Sequence, residues 1–240
     1  KRFPDRSHHG FTPVELRSPT TRPTCDVGEQ HIYHTCMLTL MATASATAAI
    51  VTPPIKLYTH TACPFAQRVW IALEASGVAY EKVEVNLYGR GGFDKSALKK
   101  VETAGGLSAK GYIPVMAIGD EVIRESSVCV QRVADLAGAA LRPDDAELAA
   151  TLIKLCNALP KQTSSREIDA LLRKCDEAVS TRAFLAGATL SVADVNLLPF
   201  LQRVEDDIPA DATHLRGYMA RARATPAFSK TVVPSWWWWW

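Results

Sequence analysis

Residues 55–80 read Ile-Lys-Leu-Tyr-Thr-His-Thr-Ala-Cys-Pro-Phe-Ala-Gln-Arg-Val-Trp-Ile-Ala-Leu-Glu-Ala-Ser-Gly-Val-Ala-Tyr, and no other stretch restricts the fold as much. Ile55, Leu57 and Thr59 alternate as in a short strand, and a polar turn follows. Then come Cys63 and Pro64. Phe65, Val69, Ala72 and Leu73 recur at the spacing of a helix with one apolar face, and Gly77 is placed to close that helix. Proline suits a first helical position because its missing N–H would have no intrahelical partner there. Cys63 therefore falls at a helix N-cap, beside unpaired N–H groups and the positive end of the helix dipole. Such a site lowers a thiol pKa from about 8.5 into a range of roughly 3.5–7.5, so the expectation is a thiolate at neutral pH. A strand, a turn and Cys-Pro opening a helix point to thioredoxin-like redox chemistry. The competing reading is a buried structural cysteine beside an N1 proline. Ala66 stands where a second cysteine of the motif would be, so an external thiol has to complete any exchange.

The length of 240 residues allows one or two domains. At 48% hydrophobic and 22% charged residues the composition is that of a globular chain. The net charge of +2 is too small to make nucleic acid or an anionic membrane the main partner. The six cysteines, at 25, 36, 63, 129, 156 and 175, form no CxxC pair. This favours a reducing compartment over a disulfide framework. No metal-ligand spacing appears, and the expectation is no metal.

Residues 1–54 are read as a disordered or non-native tail, because prolines recur among Ser and Thr without helical or strand periodicity. The apolar part, 37–51, is broken by Thr39, Thr43, Ser45 and Thr47 and falls below the roughly 18 residues that a membrane helix needs. A secretory segment, a transit peptide and sequence translated upstream of Met37 or Met41 all remain open for this tail. The five tryptophans at 236–240 are read as an artefact, or else as an anchor.

After the first strand and helix, Tyr80, Val83, Val85 and Leu87 suggest a second strand. A glycine loop at 89–92 and a short helix over 93–101 follow. Tyr112-Ile113-Pro114 leads into a strand over 115–118, Gly119-Asp120 makes a hairpin turn, and 121–123 returns. Glu125-Ser126-Ser127 opens a helix to Ala137, closed by Gly138. Ser126 read as an N-cap, with free N–H groups, makes an anion site suited to a carboxylate; an ordinary cap is the plain alternative. Ile113-Pro114 alone reads as a trans proline at a strand start. Beyond Arg142-Pro143, helices are expected over 146–159, 166–179 and 215–224. Between them, Ser191 and Asp194 form a capping box with Leu190 and Val195 as a staple, opening a helix that Pro199 should kink. That capping box is assigned a folding role.

Cys63-Pro64-Phe65-Ala66-Gln67-Arg68-Val69-Trp70 resembles the active-site helix of cysteine-type glutathione transferases. The lambda class is nearest, with the omega class and dehydroascorbate reductases behind it. The resemblance runs over roughly 180 residues and takes in Ile113-Pro114, Glu125-Ser126 and Phe184-Leu185-Ala186-Gly187 with Ser191-Val192-Ala193-Asp194-Val195. It implies an α/β thioredoxin-like N-terminal domain over 55–137, a linker over 138–143 and an all-α C-terminal domain over 144–235. It implies Cys63 as the catalytic nucleophile. Glutathione, as co-substrate, would be held by Pro64, Phe65, Ile113, Pro114, Glu125 and Ser126, with the Ile113–Pro114 bond cis. The helices between Pro143 and Phe184 look short against the family. The activity implied is glutathione-dependent thiol transfer or deglutathionylation through a mixed disulfide, with dehydroascorbate reduction as a related reaction and detoxification as the setting. The second substrate would be a small glutathionylated or electrophilic molecule, with no nucleic acid and no membrane involved. The chain is expected to be a monomer or homodimer in the cytoplasm, or alternatively in the chloroplast. A non-catalytic binding module for small apolar ligands or protein partners is the competing function.

Overall fold

A computed structural model describes residues 53–87, 91–159 and 164–232. The readings of the tail up to residue 52, of Gly89-Arg90 and of the tryptophan run lie outside these. Chain order is β1 (Ile55–Thr59), α1 (Pro64–Ser76), β2 (Tyr80–Glu84), α2 (Lys95–Ala104), β3 (Val115–Ile118), β4 (Glu121–Arg124) and α3 (Ser126–Ala137). Five further helices follow: α4 (Ala146–Ala158), α5 (Ser165–Val179), α6 (Val192–Leu201), α7 (Thr213–Ala224) and α8 (Pro226–Ser229). A 3-10 helix, Gln202–Asp207, continues directly from α6. Among the described residues, no helix is long and apolar enough to cross a membrane.

The four strands form one mixed sheet in the order β2-β1-β3-β4. β1 runs parallel to β2 and antiparallel to β3, and β3 and β4 form the hairpin. Because successive side chains of a strand point to opposite faces, β1 sorts its residues by alternation. Ile55 and Leu57 join Met116 and Ile118 in the core that includes α1 and α3. Tyr58 faces the other way and packs with Val115 and with Leu98 of α2. This is the expected thioredoxin-like α/β unit followed by an all-helical unit.

Several boundaries move. β2 stops at Glu84, and only an isolated bridge pairs Val85 with Phe93. The second helix starts at Lys95 because Asp94 accepts from the Ser96 N–H and caps it. Its end at Gly105 packs so closely on β4 that a Cβ there would lie 2.3 Å from Cβ of Val122. Gly77 does close α1, in the left-handed region with φ 68°. Pro54, assigned by composition to the tail, accepts a 3.4 Å bond from the N–H of Gly119 in the β3–β4 turn.

The helical half is pinned by α6, whose described side chains are almost all buried. Ser191 caps it, and the reciprocal box with Asp194 is formed. Asp194 does more than cap. Fully buried, it also accepts from the Leu185 N–H at 3.0 Å and from the Tyr218 hydroxyl of α7 at 3.0 Å. A capping residue thus doubles as the junction between the 184–187 turn, α6 and α7. Asp194→Ala should cost at least about 3 kcal/mol, since it leaves several buried donors unpaired at about 1–3 kcal/mol each. Tyr218→Phe, which removes one bond, should cost about 1–2 kcal/mol. Urea unfolding checks both values, and equal losses would show that Asp194 acts only through Tyr218.

Candidate active site

The sheet register brings the sequence-predicted residues to one end of the fold. Tyr58, next to last in β1, lies opposite Val115, the first residue of β3. Val115 in turn lies opposite Arg124, the last residue of β4. The loop carrying Cys63, the Ile113–Pro114 step and the Glu125–Ser126 step therefore all leave the sheet at the same end. The Ile113–Pro114 bond is cis, as the resemblance implies. Pro114 and Ser126 are buried, Cys63, Pro64 and Ile113 half-buried, and Phe65 and Glu125 exposed.

The turn before Cys63 is tied at every residue. The Thr61 N–H and hydroxyl both donate to Glu84 Oε1, at 2.7 and 2.9 Å. The Ala62 N–H donates to His60 Nδ1 at 3.1 Å, and the Cys63 N–H to the His60 carbonyl at 2.9 Å. Cys63 then takes extended backbone angles, and its carbonyl accepts from the Gln67 N–H at 2.9 Å to start α1, with Pro64 in the first position. The predicted N-cap is correct.

The expected ionisation is not. The Cys63 thiol lies above the ordinary cysteine value, and burial is the largest cause. The Ala66 and Phe65 N–H groups pull it down, as do the guanidiniums of Arg203 and Arg68, but together they do not offset burial. The local pattern shows the helix N-terminus but not the burial of the sulfur, which strips water from the anionic form.

The Glu125–Ser126 expectation is also corrected. Glu125, not Ser126, is the N-cap, and Ser126 is already the first helical residue. Glu125 holds φ 71°, a conformation costing a non-glycine residue of order 1–3 kcal/mol. It is fixed from both sides. Arg124 pairs in the hairpin, and the Cys129 N–H donates to the Glu125 carbonyl at 3.0 Å. The Glu125 side chain closes no cap hydrogen bond.

Two arginines complete the site. Arg68, on the buried face of α1, donates from Nε to the Asn196 carbonyl of α6 at 2.9 Å and from Nη2 to Cys156 Sγ of α4 at 3.5 Å. Its guanidinium carbon sits 4.5 Å from the Phe200 ring centre. Arg203, from the 3-10 helix, donates to the Ala62 carbonyl at 3.1 Å and to Gln67 Oε1 at 3.0 Å. It also donates to the Pro199 carbonyl. Arg68 was visible in the motif as a cation among apolar helix positions, a signal for a built-in charge. Arg203 carries no local signal, since only folding brings residue 203 to residue 62. Among the described residues, no group of three or more His, Cys, Asp and Glu side chains could hold a metal ion.

A mixed four-stranded sheet with a thiol at the first helix N-terminus and a cis proline at the same sheet end defines a thioredoxin-like thiol site with an appended helical domain. The family model for the glutathione S-transferase N-terminal domain matches residues 62–136, and that for the glutathione S-transferase C-terminal domain matches residues 161–221. These matches span more than half of the chain, which belongs to the glutathione S-transferase family. No sequence among the curated proteins matches it. Among solved structures it is similar to glutathione transferase Omega 3C from Trametes versicolor, with 18% identity and a TM-score of 0.59 over 75% of this chain and 89% of that one. It is also similar to a theta-class glutathione S-transferase from the citrus canker pathogen Xanthomonas axonopodis pv. citri, solved with glutathione bound, at 21% identity and TM-score 0.57 over 76% and 98%. A tau-class enzyme from mango, Mangifera indica, aligns at 19% identity and TM-score 0.56 over 75% and 93%. Likenesses at these identities establish the fold.

Because the raised thiol must lose its proton before it reacts, alkylation of Cys63 by iodoacetamide should climb about tenfold per pH unit between pH 6 and 8, with no plateau below about pH 8.5. Peptide mapping of the Cys63 segment reads this directly. A plateau near pH 6 to 7 would show that the helix N-terminus outweighs burial after all.

Proposed function

We propose that this chain is a cysteine-type glutathione transferase, lambda- or omega-like, working as a glutathione-dependent thiol transferase. One observation carries the reading. Cys63 is the one cysteine among the described residues that is not buried, and it stands at the N-cap of α1, whereas Cys129, Cys156 and Cys175 are buried. A hydroxyl at this place would activate glutathione's own thiol for conjugation, whereas a thiol forms a disulfide with it.

In the proposed cycle Cys63 loses its proton to solvent and its thiolate attacks the glutathionyl sulfur of a small mixed disulfide. The Cys63–glutathione disulfide forms as the substrate thiolate leaves and is protonated. The thiolate of a second glutathione then attacks the glutathionyl sulfur, releasing oxidised glutathione and regenerating the Cys63 thiolate. One mixed disulfide and one free glutathione thus give one free substrate thiol and one oxidised glutathione, half of which came from the substrate, so no other reductant is needed. Dehydroascorbate is a second acceptor for the same thiol, and its two-electron reduction takes two glutathione thiols, which leave as oxidised glutathione.

The residues around Cys63 suit glutathione. The backbone of Ile113, held by the cis bond, offers main-chain pairing to the cysteinyl part. The Ser126 hydroxyl and the open N–H groups of the first turn of α3 receive the γ-glutamyl carboxylate, and the exposed Glu125 carboxylate pairs with the ligand's amino group. The solved theta-class relative was crystallised with glutathione, which supports this choice of co-substrate. A cytoplasmic or chloroplast location, and a monomer or homodimer, accord with this chemistry.

Treatment with oxidised glutathione should add one glutathionyl mass to the segment bearing Cys63, and Cys63→Ser should abolish both that adduct and reduction of mixed disulfides. Wild-type turnover in Cys63→Ser would overturn the mechanism. Ser126→Ala should weaken glutathione binding by roughly 1.5–3 kcal/mol, the worth of a hydrogen bond to a charged group. Calorimetry on the folded variant with unchanged affinity would remove Ser126 from the site.

A further inference from the structure

The reading of Cys63 as a reactive thiol leaves a buried cation, Arg68, and a half-buried one, Arg203, unexplained. Arg68 is 2% exposed. Its hydrogen-bond acceptors are a backbone carbonyl and a thiol, and its ring contacts are Phe65 and Phe200. Among the described residues it meets no carboxylate. Burying a guanidinium among neutral groups is costly, and such a site persists when something recovers the cost. Arg203 approaches the same spot from the other domain. Its fork takes the carbonyl of Ala62, immediately before Cys63, and the side chain of Gln67, one helical turn after it. One guanidinium thus brackets the chain on both sides of the thiol.

We propose that Arg203, with Arg68 behind it, is the built-in counter-charge of the Cys63 thiolate, so that the helical domain sets the reactivity of a cysteine belonging to the sheet domain. Both are positioning residues that act through Cys63. The inference rests on Cys63 being the reactive thiol. Among the described residues, charged and titratable groups on the elements that meet here are Arg68 from α1, Arg203 from the 3-10 helix, His60 in the preceding turn, Glu84 at the end of β2 with Lys82 3.5 Å from its carboxylate, and Glu125 at the start of α3. Glu84 is engaged with Thr61. Of these groups, the two guanidiniums are the charges that favour the anionic sulfur, and Cys63 in turn favours the charged form of each. The raised thiol is the balance left after they have acted. Without them, burial would hold it higher still.

The test compares Arg203→Gln with Arg203→Lys in the full chain. Both lose the guanidinium fork, but only the lysine keeps the charge. The measured quantity is the pH profile of iodoacetamide alkylation mapped to the Cys63 peptide. Arg203→Gln should shift the profile about one unit to higher pH, a tenfold slower reaction at fixed pH below the plateau. Arg203→Lys should recover most of that loss. Profiles that coincide for the two variants, or a glutamine profile matching wild type, would overturn the proposal. Since either change removes the ties to Ala62 and Gln67, a second pair keeps Arg203 intact. Cys63→Asp should melt higher than Cys63→Asn at pH 7, and the advantage should vanish as the carboxylate is protonated at low pH. An asparagine variant that is equally or more stable at pH 7 overturns it as well. None of these measurements uses glutathione. A missing glutathionyl adduct alongside the expected shifts would therefore count against the proposed function and leave the counter-charge standing.

Discussion

A guanidinium sealed inside the molecule ties the two halves of this protein together. Arg68 belongs to the first helix of the sheet domain, yet its hydrogen bonds go to α6 and α4. The face that α1 turns away from the sheet is the face on which the helical domain is built, through α6 and α8. The charge cannot retreat to water, so the surrounding groups must supply acceptors and polarisable surface. They do so with the Asn196 carbonyl, the Cys156 sulfur and the Phe200 ring. This junction makes the helical domain part of the site rather than an attachment to it.

From that junction the site follows. The sheet delivers three segments to one end because β1, β3 and β4 pair in a single register there. The turn from His60 to Cys63 is held from the sheet side by Glu84 and from the helical side by Arg203. The buried Glu102 of α2 receives the Gly111 N–H at 2.6 Å and pairs with Arg124 at 3.4 Å. That steadies the loop entering the cis proline and the strand leaving towards Glu125. Each site segment is therefore braced by a charged side chain distant in sequence, the arrangement that keeps a binding constellation in place when its own residues lie on loops.

Burial at this junction also reverses the ionic reading of Cys63. A helix N-terminus favours a thiolate by local geometry, and that geometry is present. The sulfur is also partly withdrawn from water, and that desolvation penalises the charged form more than two N–H groups and two nearby cations favour it. Ser126 differs from expectation for a related reason. Its side chain is a good cap in isolation, but the hairpin ends at Arg124 and leaves Glu125 as the residue that must turn the chain, at positive φ.

Alternation in Ile55, Leu57 and Thr59, the Cys63-Pro64 helix start, the Gly119-Asp120 turn and the Ser191–Asp194 box determined the strand and helix order and most element ends to within a few residues. These signals are local, and local hydrogen bonding and amphipathic spacing are written residue by residue. For the same reason Cys63 stands out in the sequence itself, whereas Pro114 and Ser126 stand out only through the family resemblance, since alone they read as a trans proline and an ordinary cap. What only the tertiary structure decided was which distant groups meet: Arg203 with Ala62, Arg68 with Asn196, Tyr218 with Asp194, Glu102 with Gly111. A charge's effect depends on the dielectric and the partners around it, and both are properties of packing that no window of sequence contains.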